Sequence, residues 1–413
     1  MTPFQIIAVL LTFVAVGGYI NHKYFHLPET IGHMAFALLL SLGAILAYKL
    51  GLYDIAPVKA IIGSIDFSEV LLHGMLSFLL FAGALHIRFK DLKQVGTPVA
   101  VLATAGVVMA TLVTGTLVWE GASYIGLKIP YIYGLLFGAL ISPTDPIAVL
   151  AILKEAGLSK KLFTKIGGES LFNDGVGVVV FLTILGIAVG RQQANIRDVS
   201  VLIVQQGLGG LTLGFVLGGI TDSLLQRIDD YKVEVMLTLA LVTGGYALAE
   251  LLHLSAPICM VAAGLIVGNK RRLTADHDKA SERLDQFWEL LDEILNAVLF
   301  MLIGLEVIVI TITAQHMLLG VFAIVAVLLG RLISVSLPIG LMGIWLKSER
   351  GTIPILVWGG LRGGLSIAMA LSLPEGPEKA IILPVTYIVV LFSILVQGLS
   401  FQRFLAFVKK RAD

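Results

Sequence analysis

The chain reads as an all-α, polytopic membrane protein of about 13 transmembrane helices. Three observations carry that reading. Of its 413 residues, 57% are hydrophobic and only 14% charged, where soluble domains run at roughly 25% charged. Mean hydropathy is +0.94, which excludes a soluble domain. Apolar runs of about 20 residues, the length of a helix that crosses a bilayer, recur from one end of the chain to the other.

Thirteen such runs are legible: 4–21, 29–49, 66–87, 97–119, 131–153, 165–190, 198–224, 233–252, 255–269, 288–310, 316–345, 352–373 and 380–406. The ninth is short, carries Pro257 in its first turn and follows the eighth almost without a loop; a twelve-span reading would fuse the two. The stretch Met1–Gln5 has no Lys or Arg, so the first run is expected to be a retained span and not a signal peptide. Nothing after Ala406 is long enough to fold, so a bare membrane domain is expected.

Loop charge supports the count. With the N-terminus outside, the inner loops and the tail hold 21 Lys and Arg residues and the outer loops and span ends hold 6; the other two of the 29, Arg331 and Arg362, fall inside spans. Cytoplasmic loops are the basic ones, so the C-terminus is expected to be cytoplasmic. The formal net charge of +1 gives no bulk attraction to nucleic acid. Cys259 makes neither a disulfide framework nor a thiolate metal site, and reads as a small buried apolar residue.

Two spans are broken. The fifth contains Ser142-Pro143-Thr144-Asp145-Pro146 at mid-depth, and the twelfth contains Gly359-Gly360-Leu361-Arg362-Gly363-Gly364. Proline removes a helical hydrogen bond and glycine weakens the helix. A pair of interrupted spans, one in each half of the chain, points to the binding site of an inverted-repeat transporter. Glycine-mediated helix packing explains the twelfth span alone. It does not explain why each break also holds a charge.

Charges at mid-membrane cost several kcal/mol or more, so those present are informative. They are Asp145 in the fifth span, Glu169 and Asp174 in the sixth, Glu250 in the eighth, Asp292, Glu293 and Glu306 in the tenth, Arg331 in the eleventh and Arg362 in the twelfth. In Gly168-Glu169-Ser170-Leu171-Phe172-Asn173-Asp174-Gly175, Ser170 and Asp174 share a helical face, and Glu169 and Asn173 share the adjacent stripe. Gly175 and Gly177 admit a second backbone. The result is a strip of oxygen ligands at a tight helix contact, as a hard cation requires. The fifth span adds the Asp145 carboxylate. Pro146 crowds the carbonyl of Ser142 and frees carbonyls near Thr144. Glu169 has two candidate partners, Arg331 and Arg362. Glu250 and Glu306 read as helix-end or packing charges, Asp292 and Glu293 as solvated, and His73 and His253 as interfacial or hydrogen-bonded.

Ile141-Ser142-Pro143-Thr144-Asp145-Pro146, the Gly168–Gly175 segment and Gly360-Leu361-Arg362-Gly363-Gly364 resemble the signatures of the monovalent cation–proton antiporters of the NhaP/NHE type. Gly304-Leu305-Glu306 and the Gly330–Val335 segment around Arg331 do so as well, and the resemblance covers nearly the whole chain. It implies a homodimer with inverted repeats, in which spans 5 and 12 are crossing discontinuous helices. A six-helix ion-transport core would comprise 97–190 and 316–406, a dimerisation side 1–96 and 233–310, and a linker helix 198–224. It also implies that Asp174 binds both cation and proton, helped by Asp145, Ser170 and the Thr144 carbonyl. Asn173 stands where electrogenic relatives carry a second Asp. Glu169 would pair with Arg362, and Arg331 would support the core near Asp145. One departure stands out: many bacterial members carry Glu after Phe in the third span, whereas Phe81 is followed by Ala82 and Gly83. That bears on affinity and ion choice.

The expected mechanism is competition. A solvated Asp, with a pKa of about 3.9, binds H⁺ too rarely at physiological pH, whereas desolvation favours the neutral carboxyl. Either H⁺ or Na⁺ (or Li⁺) then neutralises Asp174, and only the neutralised core crosses the barrier cheaply. With Asn at 173, one H⁺ exchanges for one Na⁺ and the cycle is electroneutral. K⁺ in place of Na⁺ is the alternative within the class. An ion channel would need a filter-like sequence or a ring of repeated acids, and neither is present. A membrane enzyme or sensor with a buried acidic dyad is the other rival, but no nucleotide or metal-cofactor motif appears, so neither enzyme chemistry nor a cofactor is expected.

Overall fold

The computed structural model describes residues 3–52, 54–63, 65–155, 159–190, 196–274, 279–342 and 351–412. The helices are α1 (Pro3–Ile20), α2 (Glu29–Lys49), α3 (Ala56–Gly63), α4 (67–85), α5 (Phe89–Tyr124), α6 (Tyr131–Ile141), α7 (Ile147–Glu155) and α8 (Lys160–Ala188). There follow α9 (Ile196–Leu225), α10 (Tyr231–Leu251), α11 (Ala256–Thr274), α12 (Lys279–Glu306), α13 (Ala314–Met342), α14 (Thr352–Trp358), α15 (Gly364–Leu371) and α16 (377–412). Each of the thirteen apolar runs falls on helix, with a break inside the fifth and the twelfth. The end of the 316–345 run, and Arg191, Lys347 and Arg350 of the charge count, lie outside the described residues. The short α3 had no counterpart among the apolar runs.

Among the described residues, nine helices are long and apolar enough to cross a membrane, and Tyr131–Ile141 and Ala256–Asn269 are shorter apolar helices. An 11-residue helix such as α6 is about 16 Å long, roughly half of a 30 Å hydrocarbon core. The breaks therefore leave half-helices that end at mid-depth. Backbone groups that a membrane cannot solvate are tolerated there only where protein or a cavity satisfies them.

Side-chain size decides the packing. Down α9, Gly210, Gly214 and Gly218 meet Ser255, Cys259 and Ala263 of the α11 segment; a Cβ at 210 would lie 2.6 Å from the Ser255 carbonyl oxygen. The opposite face of α11 presents Gly264 and Gly268 to Phe81, Ala84 and Leu85 of α4. Small residues four apart let membrane helices approach closely. Cys259 is fully buried in this seam, as expected of a small apolar residue. Many large apolar side chains of α9 and α13 instead point outwards, among them Val204, Phe215, Val321 and Leu329. Such faces suit lipid.

α5, α6, α8, α13 and α16 pack mainly on one another, while α2 lies on α12 and α4 on α11 and α12. A cavity of about 750 Å³ opens between α4 and α12 on one side and the two breaks on the other. A second, of about 730 Å³, lies near the other end of α12, lined by Glu306, Asp66, Glu375 and Lys379.

Candidate functional site: two crossing breaks and an uncompensated carboxylate

The prolines of the fifth span stop α6 at Ile141 and restart helix as α7 at Ile147. The glycines of the twelfth stop α14 at Trp358 and restart it as α15 at Gly364. The two extended links cross and pair: the Asp145 N–H donates to the Leu361 carbonyl at 2.8 Å, an isolated antiparallel bridge. A Cβ at Gly363 would come within 2.5 Å of Asp145 Oδ2, so the crossing needs a residue without one.

Each half-helix that ends in the break has its carbonyls taken by a guanidinium. Arg362 Nη1 donates to the carbonyls of Ser142 (2.7 Å) and Pro143 (3.0 Å) at the end of α6. Arg331 Nε donates to the Leu356 carbonyl (3.3 Å) near the end of α14. The orphan carbonyls of a helix C-terminus and its partial negative charge favour such a cation. The two half-helices that begin in the break meet Asp145. Its Oδ1 accepts from the Ile147 N–H (3.0 Å) at the start of α7, and its carboxylate abuts Gly363 at the start of α15. Helix N-termini carry partial positive charge. Each broken span is thus stabilised by a charge from elsewhere, in complementary senses.

Glu169 (1% exposed) is held by Arg331, with Nη1–Oε1 at 2.5 Å and Nη2–Oε2 at 3.0 Å. This corrects the expected pairing with Arg362. Arg362 stays close enough to interact electrostatically with Glu169, but its Nη1 is directed at the carbonyls of Ser142 and Pro143 that end α6. Arg331 is placed in the core beside Gly360 of the crossing, but its guanidinium is committed to Glu169 and Leu356 and makes no hydrogen bond to Asp145 among the described residues. The partial positive charge at Asp145 comes from two helix ends.

Ser170 and Asn173 do not face the cavity. Asn173 Nδ2 donates to Thr144 Oγ1 (2.8 Å), its Oδ1 accepts from the Thr144 N–H (3.2 Å), and Thr144 Oγ1 pairs with Ser170 Oγ (2.9 Å). All three are buried. They latch the break of the fifth span to α8, and the Thr144 carbonyl is left to other partners. Asp174, one turn beyond Ser170, makes no hydrogen bond among the described residues and lines the 750 Å³ cavity together with Thr144 and Asp145. Gly177, a turn further on, packs against the ring of Pro143.

Ala82 is buried, and the α4 wall of the cavity is apolar: Leu76, Leu79, Leu80 and Gly83. The wall opposite, on α12, is not. Asp292, expected to be solvated, is half-buried and lines the cavity with Asn296; Glu293 is exposed at its edge. Ser366 of α15 also lines it. Neither Asp292 nor Ser366 is among the site residues that the sequence predicts. The signal was there: Asp292, Asn296 and Leu299 recur at i, i+4 and i+7 on one face. His73 bridges Glu69 (3.1 Å) and Glu250 (3.4 Å), a half-exposed polar contact away from the cavity.

Two crossing, charge-capped half-helix pairs around a carboxylate define a polytopic membrane transporter. The family model described as "Sodium/hydrogen exchanger, transmembrane" matches residues 9–407. The chain belongs to that family. It is 51% identical over 402 residues to the Na(+)/H(+) antiporter NhaP of Pseudomonas aeruginosa, covering 96% of this chain and 95% of that protein. It is 35% identical over 343 residues to the Na(+)/H(+) antiporter NhaH of Halobacillus aidingensis, covering 81% and 82%. The fold matches the sodium proton antiporter MjNhaP1 of Methanocaldococcus jannaschii at pH 8, with a TM-score of 0.77, 20% identity and 98% of each chain covered.

Proposed function

We propose that this chain is a secondary antiporter that exchanges Na⁺ for H⁺ by letting the two compete for Asp174, one for one. The observation that carries this is the balance of charge around the breaks. Glu169 and Arg331 cancel as a pair. Arg362 and Asp145 are opposite charges set in the two crossing links, Arg362 Nη1 donating to the α6 carbonyls and Asp145 Oδ1 accepting from the Ile147 N–H. Asp174 has no ion-pair partner among the described residues, and it faces the cavity beside the breaks. A bound H⁺ or Na⁺ supplies a countercharge, and either leaves the core neutral. The anionic core is held back by the cost of carrying a charge through low dielectric. Strict exchange follows, and because one titrating carboxylate is involved, the cycle moves no net charge.

Names carried by the relatives support the ions chosen. Orientation follows from the loops: the cavity is rimmed by Arg88 and Lys160, which belong to the basic loops, so it faces the cytoplasm. The cation arrives through it, and the second cavity is the exit vestibule. The test is a pH-sensitive dye in proteoliposomes of the purified protein, challenged with Na⁺, Li⁺ or K⁺. Dequenching on Na⁺ or Li⁺ is expected. Dequenching on K⁺ alone would make the chain a K⁺/H⁺ antiporter, and cation flux without proton movement would make it a channel.

A further inference from the structure

The mechanism leaves two cavity-lining groups unused. Ser366 is 1% exposed and its Oγ has no hydrogen-bond partner among the described residues. A buried hydroxyl without a partner loses the hydrogen bonds that water would give it, so something else is expected to engage it. Ser366 sits one turn into α15, three residues beyond the Gly363 that touches Asp145. Directly across, Leu299 of α12 packs on Gly364 at the start of α15, which fixes the two helices against each other. From that contact, Asp292 lies seven residues back along α12, about 10 Å at 1.5 Å per residue. It lies towards the mouth, where Glu289 and Glu293 line the cavity. Asn296 Nδ2 donates to the Asp292 backbone carbonyl (2.8 Å), and the carboxylates of Asp174 and Asp292 both feel the charge of Asp145.

We infer that Asp292 and Ser366 form the second wall of the cation site, holding a hard monovalent cation in the cavity and handing it to Asp145 and Asp174. The inference rests on the antiporter reading and adds to it the residues that set apparent affinity. The chemistry is that of a cation losing its water. Carboxylate and hydroxyl oxygens are the ligands a hard cation takes. A serine hydroxyl keeps two acceptor lone pairs when its proton turns away. The facing α4 wall, apolar through Leu76, Leu79 and Leu80, offers no oxygen side chain in that stretch. Asp292 and Ser366 thus add side-chain oxygens to the walls that flank the two central aspartates. Asp292 belongs to α12, which packs chiefly on α2 and α4 and touches the broken helices only lightly, through α15. Its carboxylate therefore stays with the mouth, and it sets capture of the ion rather than its carriage.

The test is the apparent KM for Na⁺ of Na⁺-driven proton flux in proteoliposomes, for Asp292→Asn, Ser366→Ala and the two conservative variants Asp292→Glu and Ser366→Thr. Loss of a ground-state ligand appears chiefly in KM, and the expected rise is about fivefold for Asp292→Asn and about threefold for Ser366→Ala, each larger than the fall in maximal rate. Ser366→Thr, which keeps the hydroxyl, restores KM to near the wild-type value. Wild-type KM in Asp292→Asn overturns the inference, and so does a Ser366→Thr protein as impaired as Ser366→Ala, which would reduce Ser366 to packing. Asp292 borders open cavity, so its variant folds and tests the inference even where Ser366→Ala does not. Absence of cation-coupled proton flux in the wild type would instead sink the antiporter reading, a result that no Asp292 outcome imitates.

Discussion

At the scale of single residues, the site is organised by which charge has a partner inside the protein. The Glu169–Arg331 pair is buried on both sides. Removing one member of a buried pair leaves the other uncompensated, which costs about 3–5 kcal/mol, whereas apolar replacement of both is often close to neutral. Glu169→Gln and Arg331→Met are therefore expected to lower thermal stability steeply. The double variant should recover much of the loss, short of the Arg331–Leu356 hydrogen bond. Melting of the purified proteins measures this. Equal losses in the double variant and the sum of the singles would mean that the two side chains act independently. Arg362 makes a different prediction. Its guanidinium caps α6, so Arg362→Gln should destabilise the protein whether or not Glu169 is present. The partner of Glu169 was not legible in the sequence. Arg331 and Arg362 both lie inside spans, both are far from Glu169 along the chain, and only the crossing of the breaks directs one of them towards the α6 carbonyls.

At the scale of elements, the broken spans were legible because the causes are local. Pro143 and Pro146 cannot continue a helix, four glycines surround Arg362, and each break carries a charge that membrane packing alone does not call for. How the links meet was not local. The Asp145–Leu361 bridge joins residues more than 200 positions apart, and its tightness shows in Gly363. Gly363→Ala should separate the links and reduce exchange at least tenfold. Gly244→Ala on α10, where an added Cβ meets nothing within 4 Å, should leave exchange unchanged and gain up to about 1 kcal/mol from helix propensity. Flux and melting of the two variants side by side check this, and equal activity in both would mean that the crossing tolerates a side chain. The acidic face of α12 reads as solvated in the sequence for a related reason. Glu289, Asp292 and Glu293 sit among Leu290, Leu291 and Ile294 in a pattern that reads as an ordinary amphipathic end. Only the cavity distinguishes half-buried Asp292 from its exposed neighbours. The eight-residue α3, with Pro57 near its start, is too short to leave a periodic signal.

At the scale of the whole molecule, the question is what crosses the membrane in one cycle. The apolar runs were legible because hydrocarbon demands continuous apolar helix of a set length, and the family match extends over residues 9–407. The charge balance makes two predictions at this scale. The first is that exchange is indifferent to voltage. A membrane potential is worth about 2.3 kcal/mol per charge per 100 mV, so a potential set by K⁺ and valinomycin should leave the rate of Na⁺-driven proton flux unchanged, with no steady current on a solid-supported membrane. A potential-dependent flux would mean that a second proton, with Asp145 as its carrier, crosses in each cycle. The second concerns Asp174 itself. Asparagine keeps its shape but neither titrates nor offers a negative charge, so Asp174→Asn should fold, melt near the wild-type temperature and move no protons when Na⁺ is added to proteoliposomes loaded with a pH dye. Robust Na⁺-dependent proton flux in that variant would contradict the claim that cation and proton compete for Asp174.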